Sequence, residues 1–145
     1  MTQHPTRLSV LRTLDQAPGT PHEAWAVFAD EADLLRFAQQ HWRHVLDAAI
    51  DDALETGGGT LRDDVRAAYA GAASRHPGLR RLLDGHATHP AIAALVRREH
   101  AMVARAAGVG HSSEVIAPVA AAGAGTVPRP RGWFRRRSVP AVGMA

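Results

Sequence analysis

Residues 30–56 read DEADLLRFAQQHWRHVLDAAIDDALET, and this stretch decides the fold. Placed at about 100° per residue, Leu35, Ala38, Trp42, Val45, Leu46, Ala49 and Ala53 gather on one side. Arg36, Gln40, Arg43, Asp47 and Asp51 lie opposite. That separation predicts an amphipathic helix that buries the tryptophan side and leaves the arginines in water. Arg43 and Asp47 stand four residues apart, the spacing of a helical ion pair. Phe37, His41, His44 and Ala48 form a second, weaker seam, a candidate face for the first helix or for another subunit. Residues 56–59, TGGG, are expected to end the helix, because glycine enters the left-handed conformation without strain.

Working outward, TRLSVLRTLDQ (6–16) carries a short apolar stripe at Leu8, Leu11 and Leu14, with Val10 beside it. APGTP (17–21) stops it. Thr20, Pro21 and Glu23 form a capping-box pattern from which a helix restarts. One helix from Pro21 to Glu55 and two helices meeting near Asp30 both fit. Downstream, Thr60 is a cap with Asp63 three residues on, and Leu61, Val65, Ala68, Tyr69, Ala72 and Ala73 supply an apolar side. HPG (76–78) breaks that helix. A short one follows through Leu79, Leu82 and Leu83. Pro90 then opens a last helix, with Ile92, Leu95, Val96, Met102 and Val103 toward the core, closed by AAGVG (106–110).

No segment alternates with β-branched enrichment, so no strand is expected. Short connections favour antiparallel neighbours. The expectation is an all-α fold, a small antiparallel bundle of four to five helices over residues 1–110. Residues 111–145, rich in Pro, Gly, Ala and Arg, read as a disordered basic tail, because they hold too little apolar periodicity to offset ordering entropy.

Composition narrows the chemistry. The 145 residues hold no cysteine, which excludes disulfides, thiolate metal sites and cysteine catalysis. All 17 basic residues are arginine, so no Schiff-base or phosphate-loop lysine exists. There is no apolar leader at the start and no apolar run of spanning length, and the expectation is a cytoplasmic protein. The net charge of +3 is uneven. Up to Ala107 the charges nearly balance; from Gly108 onward, five arginines face only Glu114.

The histidine-rich stretch HATHPAIAALVRREH (86–100) raises a metal or haem site. His89 precedes a proline and suits a helix cap rather than a ligand position. His86 falls near a helix end. His100 lies about 16 Å beyond His89 along a helix, too far to share one ion. His41, Glu99 and His100 from two helices form the alternative set, with His86 or His89 assisting. On this reading metal and cofactor are otherwise absent. Glu99 aligns with Leu95 and Met102, close to a buried stripe, where a perturbed acid would invite acid–base chemistry; no nucleophile accompanies it. GGGT (57–60) follows a helix and precedes two aspartates, so it is a turn rather than a phosphate cradle. Asp51–Asp52 and Asp63–Asp64 point about 100° apart and form no dyad.

The tail contains VPRPRGWFRRRSVP (127–140). Arg129, Arg131, Arg135, Arg136 and Arg137 flank Trp133 and Phe134, a combination that pairs with phosphates or carboxylates and stacks on planar groups. The resulting expectation is a non-enzymatic interaction or regulatory module whose tail contacts an acidic partner, such as another protein. Nucleic acid and an anionic membrane surface suit the same charge, and a homodimer suits the Phe37 seam. A metal- or haem-binding bundle and a nucleic-acid-binding tail are the alternative functions.

Overall fold

The computed structural model describes residues 4–17 and 19–116. Those residues form helices α1 (Arg7–Gln16), α2 (Ala24–Val27), α3 (Glu31–Thr56), α4 (Leu61–Arg75), α5 (Pro77–Gly85) and α6 (Ala93–Ala107), with no strand among them. The fold is all-α. Five of these helices have nine residues or more, and the four-residue α2 is the short first member of the two-helix alternative for residues 21–55.

Capping chemistry explains where the helices start. The Thr6 hydroxyl accepts the Ser9 amide (3.1 Å) while Ser9 Oγ accepts the Thr6 amide (2.8 Å), a reciprocal box that opens α1. Asp30 accepts the Asp33 amide at 2.8 Å and opens α3. Asp33 in turn accepts the Ala29 amide at 3.0 Å. That amide, with Arg7 and Arg36 nearby, holds the Asp33 carboxyl below its usual range. Thr60 accepts the Asp63 amide at the head of α4. The chain therefore breaks between Pro21 and Glu55, at Phe28, whose backbone is extended.

Two expected signals work differently. Thr20 does not cap α2; Glu23 holds the N-cap position without a side-chain bond, and Thr20 Oγ1 is buried with no partner among the described residues. The glycines after α3 do not turn left-handed, since Gly57 is extended with φ −66°. Gly57 is needed for space: a Cβ there would overlap Asp64 and the Ala53 carbonyl. The left-handed helix stop is Gly108, φ 66°, at the end of α6.

Helices α3 and α4 pack along each other as an antiparallel hairpin, with α6 against α4 and α1 against α5. Trp42, fully buried, meets Tyr69 edge-on with ring centroids 5.6 Å apart. Leu34, Leu35, Ala38, Leu46 and Ile50 from α3 join Val10, Leu11 and Leu14 from α1 in one core. Leu82 and Leu83 from α5 and Val103 from α6 complete it. Leu61 and Leu95, expected in the core, are 56 % and 36 % exposed. On α6 the buried line runs instead through Ile92, Glu99, Val103 and Ala107, which leaves Leu95 on the flank.

Asp15 ties the ends of α1 and α5. One oxygen accepts the Gly78 and Leu79 amides, both at 3.0 Å, and the other meets His76 Nδ1 at 3.0 Å. Residues 113–116 form a helical turn, Val115 is in the core, and Arg66 donates to the Glu114 carbonyl at 2.9 Å. An apolar residue buried this well belongs to the bundle. Among the described residues no helix is long and apolar enough to cross a membrane.

Candidate functional site, an arginine-lined groove

The first half of α3 brings together two polar features that share Gln39. The inner one is a buried carboxylate. Glu99, 2 % exposed, accepts from Gln39 Nε2 at 2.5 Å and from Trp42 Nε1 at 3.0 Å. Arg80 of α5 places Nη1 3.9 Å from the same carboxylate and lies over the Trp42 ring at 4.5 Å. Arg80 also pairs with Asp84, and its guanidinium stands 5.7 Å from the Tyr69 ring centre. A buried acid at this depth requires such company, since an unpaired charge away from water is costly. The same surroundings push the Tyr69 hydroxyl up to about 12, chiefly because burial disfavours phenolate.

The outer feature is a groove of about 420 Å³ lined by Arg36, Gln39, Gln40, Arg43, His44, Leu95 and Arg98. Its origin is periodicity. Positions 36, 40 and 43 recur on one side of α3, and Arg98 and Leu95 stand three residues apart on α6. Arg36, Gln40, His44 and Arg98 are exposed, whereas Gln39 is buried. Arg43 pairs through Nε with Asp47 at 2.8 Å. Among the described residues no carboxylate lines the groove. Three guanidinium groups, the Gln40 amide and an imidazole present hydrogen-bond donors beside the apolar side chain of Leu95, while the buried Gln39 donates inward to Glu99. Such a lining can hold an anion.

The residues singled out from the sequence separate. Phe37 is half-buried against Phe28, ring centroids 5.7 Å apart, with the Arg7 guanidinium 5.6 Å from its centre. Arg7 holds that position with a two-bond fork on Asp33. His41 is half-buried with its ring edge-on to His76 at 6.2 Å. His44 lines the groove, and Ala48 is exposed. The seam is thus divided between internal contacts and the groove. Glu99 is enclosed by Gln39 and Trp42, while His100 is half-buried on α6. Among the described residues, no three His, Asp or Glu side chains are grouped to hold a metal ion, so His41, Glu99 and His100 do not converge. His86 closes α5, its Nδ1 2.7 Å from the Leu82 carbonyl and its Nε2 3.3 Å from Glu31. His89 accepts the Ala91 amide on Nδ1 at 3.0 Å, capping the turn that leads into α6. Arg129, Arg131, Trp133, Phe134, Arg135, Arg136 and Arg137 lie outside the described residues.

Gln39, Arg80 and Arg98 escape a reading of the sequence. Gln39 follows Leu35 by one helical turn, which was a usable signal for burial; Arg80 and Arg98 carried none. No family model, curated protein or solved structure matches the chain.

His41 gives a pH prediction. Burial, then the neighbouring His76 and His44, with a smaller push from Arg12, holds its pKa below 6.5 against the pull of Asp15. The unfolded chain therefore takes up this proton more readily than the folded one. His41 contributes no instability above pH 6.5, and stability falls as pH drops from there through the lower folded value. Thermal melts between pH 7.5 and 5.5, about one pH unit either side of the ordinary histidine value, should show a falling Tm. His41→Gln should flatten part of that slope; an unchanged slope in the variant rejects the assignment.

Proposed function

We propose that this chain is a non-enzymatic interaction module that binds an acidic segment of a partner protein in the α3–α6 groove. The observation that carries this reading is the lining itself, three arginines and a histidine without a carboxylate. Arg36 and Arg43 stand about two turns apart on α3 and Arg98 stands on α6, so a chain laid along the groove meets successive positive charges. The charged ends stand over apolar surface from Leu95 and the arginine stems, a combination that suits an acidic segment carrying some apolar side chains. The five arginines beyond Val127, with Trp133 and Phe134, extend the same preference and add a second contact to one acidic partner.

Isothermal titration of the full chain with a glutamate-rich peptide tests this reading. Binding should weaken as salt rises. Arg36→Ala with Arg98→Ala should weaken it by about tenfold, the equivalent of about 1.4 kcal/mol. Replacing the five tail arginines with serine should weaken it further without moving the binding stoichiometry. Affinity that is indifferent to both Arg36 and Arg98 contradicts the groove as the site.

A further inference from the structure

We infer that the group this groove is built to recognise is a phosphate monoester carried on a side chain of the partner, a phosphorylated serine or threonine within the acidic segment. The inference rests on the acidic-segment reading above and sharpens it. Charge is the first ground. Of the three guanidinium groups lining the groove, that of Arg43 is already paired with Asp47, leaving Arg36 and Arg98 as a local excess of two positive charges. The Glu99 carboxylate lies beneath the groove behind Gln39 and shares Arg80 with Asp84, so the two positive charges stand at the groove surface rather than at its floor. A phosphate monoester carries about −1.5 to −2 at neutral pH and matches two such charges, whereas a carboxylate supplies half as much.

Donor geometry is the second ground. Arginine forks pair with tetrahedral phosphate oxygens through two parallel bonds, and the groove draws its arginines from two helices, Arg36 and Arg43 on α3 and Arg98 on α6. The ion pair to Asp47 uses Arg43 Nε, and the Nη atoms of Arg43 make no hydrogen bond within the described residues. The Gln40 amide and the His44 ring add further donors along the same side of α3. An ester with three acceptor oxygens can use several of these at once; a carboxylate offers two.

Size is the third ground. The groove of about 420 Å³ is far larger than a bare phosphate ion needs, since a water molecule in the liquid occupies about 30 Å³. Leu95 contributes apolar surface that a free ion would leave unused. A phosphate attached to a side chain, with flanking backbone over Leu95, fills both the charged and the apolar part.

The test uses the full chain and three synthetic peptides identical except at one central position, which is serine, phosphoserine or glutamate. Inorganic phosphate is the fourth probe. The phosphoserine peptide should bind about tenfold or more tightly than the serine peptide and several-fold more tightly than the glutamate peptide. Arg98→Ala and Arg36→Ala each remove an exposed side chain, so helical content should be unchanged while most of the phosphoserine advantage is lost. Equal binding of the phosphoserine and glutamate peptides overturns the phosphate inference and leaves the acidic-segment reading standing. Failure of all three peptides to bind overturns both. Competition by inorganic phosphate at the dissociation constant of the phosphopeptide assigns the groove to free ions and overturns the carried-phosphate inference. Phosphoserine selectivity that survives both arginine substitutions places recognition outside the groove and overturns it as well.

Discussion

Replacing Glu99 with alanine should destabilise the fold by about 3–5 kcal/mol, the range seen when one member of a buried charged cluster is removed. Two donors lose their acceptor together, and Arg80 loses a facing carboxylate. Gln39 Nε2 and Trp42 Nε1 become buried donors without partners, at about 1–3 kcal/mol each if neither can rotate toward water. Arg80, with its side chain only 14 % exposed, loses the anion it faces and keeps only the exposed Asp84. The missing side chain also leaves a void beside Trp42. Glu99→Gln separates these causes. An amide in this place still offers an oxygen to Trp42, and Gln39 can rotate its own amide to accept from the new nitrogen. Its cost should be about 1–2 kcal/mol. Urea unfolding of both variants measures the difference, and a Glu99→Ala change below about 1 kcal/mol would mean that the carboxylate is not enclosed in this way.

Gly78→Ala should be nearly as damaging, by about 3 kcal/mol, at the upper end of what overpacking usually costs. Gly78 is buried at the start of α5, and a Cβ built there would overlap the Leu14 carbonyl. The obstacle is backbone, so no side chain can swing aside. Relief requires α1 and α5 to separate, which would stretch the Asp15 bonds to the Gly78 and Leu79 amides and to His76. Gly71→Ala supplies the contrast. Its nearest neighbour would be Arg75 Nη1, the end of a long side chain, at 3.6 Å. In a helix interior that change should be neutral or stabilising by up to about 1 kcal/mol. Thermal melts of the two variants distinguish a glycine required by contact from one that is merely tolerated.

The helices were legible because apolar periodicity and capping residues act over a few positions. Trp42, Leu35, Ala38 and Leu46 could be placed in the core from their spacing alone, as could Val65, Tyr69, Leu79 and Val103. Errors arose where a local signal competed with tertiary packing. Leu95 is more apolar than Glu99, yet Glu99 occupies the inner face because Gln39, Trp42 and Arg80 satisfy it there. Gln39 and Glu99 stand 60 residues apart in the chain, and nothing at either position names the other. Thr20 and Gly57 fit common capping patterns, but the path of the chain gives both another setting.

The candidate site was half visible for the same reason. Arg36, Gln40 and Arg43 could be recognised as the polar side of α3, which is a property of one helix. That Arg98 and Leu95 stand across from them is a property of how α6 docks, and pairwise docking leaves no periodic trace in either segment. The histidines posed the opposite problem. Their density raises a common centre, spacing along the chain argues against it for 86–100, and burial and capping distribute them: His41 beside His76, His86 at the end of α5, and His89 at the turn before α6.

The central claim is that the α3–α6 groove is where the partner binds. Its most direct measurement is a titration of the isotope-labelled full chain with an acidic peptide, followed through backbone and side-chain amide resonances. The Gln39 and Gln40 side-chain amides should move first and saturate together, with backbone shifts concentrated at residues 36–44 and 95–98. A saturable titration that leaves those amides in place and moves resonances elsewhere would contradict it.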